Sequence, residues 1–233
     1  MPRLEPASKR PAKRQAAKSA KRAKARPNSP AFSEAKAATW FEGKTFATDW
    51  TSWHFPNWAR LLAPYRGKRA RVMEIGSWEG RSALFFLNYL PRAHVVCIDT
   101  FEGGQEHQAA ADSEDFLPHL ERRFESNTAE FADRIEKIKA RSGDALAQFG
   151  IANRRFDVAY IDGSHRAADV YSDAALTWPL MASGALIIFD DYQWEMMPAP
   201  LDNPKPGVDA FLAAFEGQYK VVHNDYQVAV VKR

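Results

Sequence analysis

Among 233 residues there is one cysteine, Cys97. It has no partner within the chain, so an internal disulfide framework and a cysteine-based zinc site are both excluded. Set inside the apolar run VVCID, it reads as a small core residue, and a reducing cytoplasm is the natural compartment. Long apolar runs are also missing. None approaches the roughly 18 residues that a membrane span requires. No apolar stretch follows the N-terminal charges, which argues against a secretory signal. A complete Gly-x-Gly-x-x-Gly fingerprint is absent too, and that weakens a dinucleotide-binding reading.

Residues 1–30 contain no aromatic residue and a single acid, Glu5, against ten lysines and arginines. Their net charge is +9, and because the whole chain carries +3, the remainder stands at −6. An Ala-rich basic arm with Pro2, Pro6, Pro11 and Pro27 has little to bury and is expected to be disordered. The plain reading is a solvated, partly dispensable tail. The functional one is weak contact with nucleic acid or another anionic surface through phosphate attraction. Without aromatics to stack on bases, sequence readout is not expected.

What is present is organised. Residues 31–67 form an aromatic-rich N-terminal cap holding Trp40, Trp50, Trp53 and Trp58, with a helical turn or two predicted over Asn57–Leu62. Gly43 and Pro56 argue against one long helix there. Most of these rings are expected to cover the flank of a sheet. From Lys68 to Arg233 the pattern alternates. ARVMEI, AHVVCID, DVAYID and GALIIFD read as strands, and IEKIKA reads as a weaker fifth. RSALFFLNYL, EDFLPHLERRF and HRAADVYSDAALTWPLM read as helices. Strands alternating with helices imply a doubly wound α/β fold with a parallel sheet. The C-terminus departs from this rhythm: YKVVH and YQVAVVK, joined by a two-residue Asn-Asp turn, read as an antiparallel hairpin.

Two features carry chemistry. In MEIGSWEGRSA, Gly76 and Gly80 lie in a strand–turn–helix and let the backbone approach a ligand. Asp99 closes the next strand 19 residues past Gly80, the spacing at which an acid grips ribose hydroxyls. Together they favour a nucleoside ligand without the phosphates of a dinucleotide. Acids also stand near the ends of three strands: Glu74, Asp162 and the Asp190–Asp191 pair. Ligands bind beyond the carboxyl ends of such strands, and neighbouring strands are about 4.8 Å apart, so these carboxylates can converge. A divalent cation, Mg2+ by default, would neutralise them. The competing reading makes Asp162 or Ser164 a helix cap and Asp190–Asp191 turn residues. His165, three residues past Asp162, is a usable general base near neutral pH.

The succession VMEIGSWEGRSA, CIDTFEGGQEH, RSGDAL, FDVAYIDGSH and TWPLMASGALIIFDDY resembles the class I S-adenosylmethionine-dependent methyltransferases, and within them methyltransferase domain family 24. The likeness runs from about Asp49 to the C-terminus and implies a Rossmann-like, seven-stranded, mostly parallel sheet ending in the antiparallel hairpin. It also implies roles. Glu74, Gly76, Ser77 and Gly80 match the first cofactor motif, Asp99 the ribose-binding acid, and Asp144 the stretch beside the adenine. Asp162, Asp190 and Asp191 fall where metal-dependent small-molecule O-methyltransferases keep their ion. His165 stands where the catechol-type enzymes place a basic Lys. The implied activity is methyl transfer from S-adenosylmethionine, with Mg2+, to a small hydroxylated molecule in the cytoplasm. Glu102, Glu106 and His107 in the loop after Asp99 are candidates for substrate contact. Two other functions are weighed: a nicotinamide-dependent oxidoreductase, supported only by the βαβ start, and a nucleic-acid-binding protein acting through its basic tail.

Overall fold

The computed structural model describes residues 32–104, 107 and 116–233. Residues 32–233 form one compact unit. The basic tail and Glu106 lie outside the described residues.

Seven strands make one sheet. They are β1 (Arg71–Ile75), β2 (His94–Asp99), β3 (Ile135–Lys139), β4 (Phe156–Ile161), β5 (Met181–Phe189), β6 (Tyr219–Asn224) and β7 (Val228–Lys232), in the spatial order β3-β2-β1-β4-β5-β7-β6. The first five pair in parallel, while β7 runs antiparallel to both β5 and β6. The order reverses at β1, which lies between β2 and β4, so a crevice opens above the carboxyl ends of β1 and β4.

The described helices are α1 (Glu34–Ala38), α2 (Phe55–Leu62), α3 (Arg81–Tyr89), α4 (Leu120–Thr128), α5 (Ser142–Ile151), α6 (Ala167–Thr177) and α7 (Lys205–Ala214). Strand residues alternate between two buried faces. Val72, Val95, Val158 and Leu186 pack with Phe55, Trp58, Phe85 and Phe86 of α2 and α3. Met73, Val96, Ala159 and Ile187 pack with Leu146, Val170, Ala174 and Phe211 of α5, α6 and α7. The aromatic segment therefore belongs to the main core.

Three expectations needed revision. The sequence reading did not pick out α5 or α7 as helices, because glycines fall within both, Gly143 and Gly150 in α5 and Gly207 in α7. Helix α2 starts earlier, at Phe55, with Pro56 in its first turn, where the missing N–H costs nothing. The hairpin is also not joined by Asn-Asp: Asn224 remains in β6, opposite Val228, and Asp225–Gln227 make the connection. The amide of Asp225 donates to the carbonyl of Gln227, and a bulge between Val221 and His223 absorbs the altered register. The physical reason lies at Gln227, whose side chain is drawn into the core and is 1% exposed. Among the described residues, no helix is long and apolar enough to cross a membrane.

Candidate active site

The glycine turn after β1 is strained and tightly fastened. Gly76 has φ +83°, and a Cβ there would lie 1.8 Å from the carbonyl oxygen of Asp162. Trp78 adopts φ +48°, a region that a bulky residue occupies only when its surroundings hold it. The holding group is Asp99. Its Oδ2 accepts from the backbone N–H of Ser77 (2.7 Å) and Trp78 (2.8 Å), and its Oδ1 accepts from Phe101 N–H at 2.6 Å. Asp99 thus ties the ends of β1 and β2 together while facing the crevice.

Gly76, Ser77, Asp99 and Asp144 all line one cavity of about 1030 Å3. Glu74 lies beneath the turn, fully buried, with Cys97 Sγ donating to its Oε2 at 3.3 Å. Burial pushes its carboxyl up to about 7, against the opposing pull of the Ser82 and Ser77 hydroxyls. Gly80 turns away from the cavity. It begins α3 with φ +83°, and a Cβ there would meet Thr128 and Phe124.

The acids converge because β4 and β5 are neighbours in register. Ile161 pairs with Phe189, so Asp162 and Asp190 emerge side by side. The hydroxyl of Tyr160 stands between them, 2.9 Å from Asp162 Oδ2 and in contact with Asp190 Oδ2. Asp190 is buried. Its Oδ1 accepts from Gln227 Nε2 (2.9 Å) and from Asp191 N–H (2.8 Å), with His54 Nε2 at 3.5 Å. Burial holds His54 down to about 4, so it is neutral and brings no charge to Asp190. Asp191 has φ +54°; its Oδ1 accepts from Tyr226 OH at 2.8 Å and its Oδ2 lies 3.0 Å from His165 Nε2. His165 in turn packs against Trp194, with ring centroids 4.3 Å apart.

The cap reading finds no support at Asp162. Helix α6 starts without a side-chain cap, while Ser164 Oγ accepts from Arg166 N–H and donates to Asp169. Burial, then the charges of Asp190 and Asp191, hold the Asp162 carboxyl well above the usual range. Burial, then Asp191, raises Asp190 to about 6. Tyr160 has one proton to give to two carboxylates. A divalent cation fits such a cluster, and one donor atom each from Asp162, His165 and Asp191 lies within 4.8 Å of the others. Asp190 is buried beside that group, joined to Asp162 through the Tyr160 hydroxyl and to Asp191 through its backbone N–H.

A segment of the aromatic cap crosses the cavity mouth. Thr45 N–H donates to Asn127 Oδ1 (2.9 Å) and Ala47 N–H to Glu79 Oε2 (2.8 Å), while Arg81 reaches Asp49 and Ser52, each at 2.7 Å. Trp50 then packs against Trp78 and His107, and Trp53 against Tyr226. Trp40 and Trp58 do cover the sheet's flank, packing on Phe85. Trp50 and Trp53, about half exposed, line the cavity instead, as do Glu102 and His107.

Sequence reasoning missed Tyr160, Tyr226, Trp194 and Gln227. Strand alternation could have found Tyr160, which shares a face with Asp162 two residues on. The others carry no local signal.

A family model described as a methyltransferase domain matches residues 73–192, which span the glycine turn and every acid of the cluster. The chain belongs to that family. Mycinamicin VI 2''-O-methyltransferase of Micromonospora griseorubida is 28% identical over 146 residues, 60% of this chain and 31% of that protein. The chain spans less than two thirds of the length of the curated relatives it matches. Among solved structures, MycE methyltransferase from the mycinamycin biosynthetic pathway, in complex with Mg, SAH and mycinamycin VI, has a TM-score of 0.56 at 20% identity. That likeness covers 86% of this chain and 53% of that one. The O-methyltransferase NovP has a TM-score of 0.59 at 18% identity, covering 77% and 79%. The fold is thus the Rossmann-like fold of class I methyltransferases.

Proposed function

We propose that this member of the methyltransferase family moves the methyl group of S-adenosylmethionine onto a hydroxyl of a small molecule, assisted by a divalent cation, with Mg2+ the expected ion. One observation carries the reading: Gly76 and Asp162 are in backbone contact, so the cofactor turn and the acid cluster share a single wall. A methyl group over the turn and a hydroxyl at the acids would meet in one cavity.

Gly76 and Ser77 seat the methionine part, Asp99 the ribose and Asp144 the adenine side, while Glu74 and Gly80 shape the turn from below. Asp162, Asp190 and Asp191 provide carboxylates for the cation, which when bound lowers the pKa of an acceptor hydroxyl. His165 takes the hydroxyl proton, and Asp191, 3.0 Å away, stabilises the imidazolium that results. Trp50 and Trp53, on the strap of the aromatic cap that crosses the cavity mouth, keep water from the reacting atoms. Three arginines, Arg81, Arg141 and Arg166, line the cavity against ten aspartates and glutamates, and Arg81 and Arg166 face Asp49 and Asp202, so a neutral or cationic acceptor suits this acid-rich wall better than a phosphorylated one. The family match and the fold speak against the oxidoreductase alternative.

Calorimetric titration of S-adenosylmethionine in Mg2+ buffer tests the first step. Saturable one-to-one binding is expected, and none at millimolar cofactor would sink the reading. Chelation should then abolish turnover. His165→Ala separates two roles: a base loses about 10²–10⁴-fold in rate with cation affinity intact, whereas a ligand loses both.

A further inference from the structure

A line of buried hydrogen bonds leads from the aromatic cap to the acids. Trp58 on α2 is 0% exposed, Gln227 on the β6–β7 connection 1%, and Asp190 8%. Trp58 Nε1 donates to Gln227 Oε1 at 2.8 Å, and Gln227 Nε2 donates to Asp190 Oδ1 at 2.9 Å. An indole nitrogen can only donate. Trp58 therefore holds the amide oxygen on its own side and leaves the NH2 facing Asp190. The amide has a single orientation, and it presents a donor to the carboxylate.

Asp190 passes that constraint on in two directions. Its Oδ1 also accepts from the N–H of Asp191, whose left-handed backbone (φ +54°) aims the Asp191 carboxylate at His165. Its Oδ2 meets the Tyr160 hydroxyl, which reaches Asp162 Oδ2 at 2.9 Å. If Asp190 rotates, both neighbouring acids lose a support.

We propose that Gln227, with its amide orientation set by Trp58, is a positioning residue for Asp190 and through it for the cation-binding acids. The inference rests on the metal-assisted reading. A residue that merely satisfied the buried indole N–H would leave cation binding untouched, and this separates the two roles. Groups that orient ligands from behind change metal affinity about 10–100-fold when removed.

The test is Mn2+ binding by electron paramagnetic resonance, on the full chain with S-adenosylhomocysteine present. Gln227→Met keeps the volume and loses the amide. Trp58→Phe keeps an aromatic ring, loses the indole N–H and lets the amide turn. Both are expected to weaken Mn2+ binding by about tenfold or more while S-adenosylhomocysteine affinity stays within about twofold. The double variant should be no weaker than Gln227→Met alone, because the two residues act along one line. Phe211→Leu, in the core on the opposite face of the sheet, provides a destabilised control that should bind Mn2+ normally. Wild-type affinity in both Gln227→Met and Trp58→Phe, or loss matched by Phe211→Leu, would overturn the positioning role while leaving the metal reading standing. A wild-type protein that binds no Mn2+ would overturn both.

Discussion

Gly76 and Asp162 touch through their backbones: a methyl group on the glycine would sit 1.8 Å from the Asp162 carbonyl oxygen, and Asp162 N–H donates to Ile75 O at 2.9 Å. The turn of β1 and the end of β4 are therefore one rigid unit, and a change on one side must move the other.

Gly76→Ala should be among the most damaging single-methyl additions in the chain, since it combines a backbone clash with φ +83°. Expected is loss of the folded state, or of S-adenosylmethionine binding where folded protein survives. Gly150→Ala is the contrast, for nothing lies within 4 Å of its added methyl and it sits in helix α5. It should fold and gain about 0.5–1 kcal/mol. Denaturant melts and calorimetry on the pair check both expectations, and an intact, cofactor-binding Gly76→Ala would disprove the rigid contact.

Glu74 makes stability depend on pH. Its folded carboxyl titrates at about 7, against an ordinary value of 4.5. Between those values the folded state keeps a proton that the unfolded state has lost. Stability from this group therefore falls as pH rises through the window and levels off above 7, by about 3 kcal/mol at most. Glu74→Gln removes the titration. Urea melts from pH 4.5 to 7.5 should show a flatter profile for the variant, and parallel profiles would refute the assignment.

Tyr160→Phe keeps the ring contacts with Trp58 and Phe86 and removes the hydroxyl between Asp162 and Asp190. Two carboxylates then face each other with no shared donor. In the presence of a chelator the variant should lose about 1–3 kcal/mol in denaturant unfolding. Unchanged stability would mean that the hydroxyl does not bridge the acids in solution.

Asn127 fastens the strap. Its Oδ1 accepts from Thr45 N–H, and its Nδ2 donates to the carbonyls of Thr45 and Glu79, all at 2.9 Å. Asn127→Ala should cost about 2–3 kcal/mol and speed amide exchange across residues 44–54. Exchange that stays at the wild-type rate there would show that Glu79 and Arg81 hold the strap without it.

The acids at the carboxyl ends of β4 and β5 were legible because each follows a short apolar run with β-branched residues, the pattern of a buried strand. The glycine turn was legible for a similar reason: strand, two glycines and helix follow one another within eleven residues, MEIGSWEGRSA. Gln227 was not. It reads as one more polar residue at the start of a strand, yet its partner Trp58 is 169 residues away. Asn127 and Thr45, 82 residues apart, were invisible in the same way. The hairpin turn was misread because local preference favours Asn-Asp, while burial of the Gln227 amide against Asp190 pulls the chain into a longer connection.

The sequence by itself determined the strand–helix alternation, the strained turn and the residues at the strand ends, because hydrophobic period and glycine placement act over a few neighbours. Only the tertiary structure decided which acids face the cavity together, which residue holds each of them, and which tryptophans roof the site. Those outcomes depend on strand order, on register, and on the need of each buried polar atom for a partner, which the chain meets from wherever folding brings one.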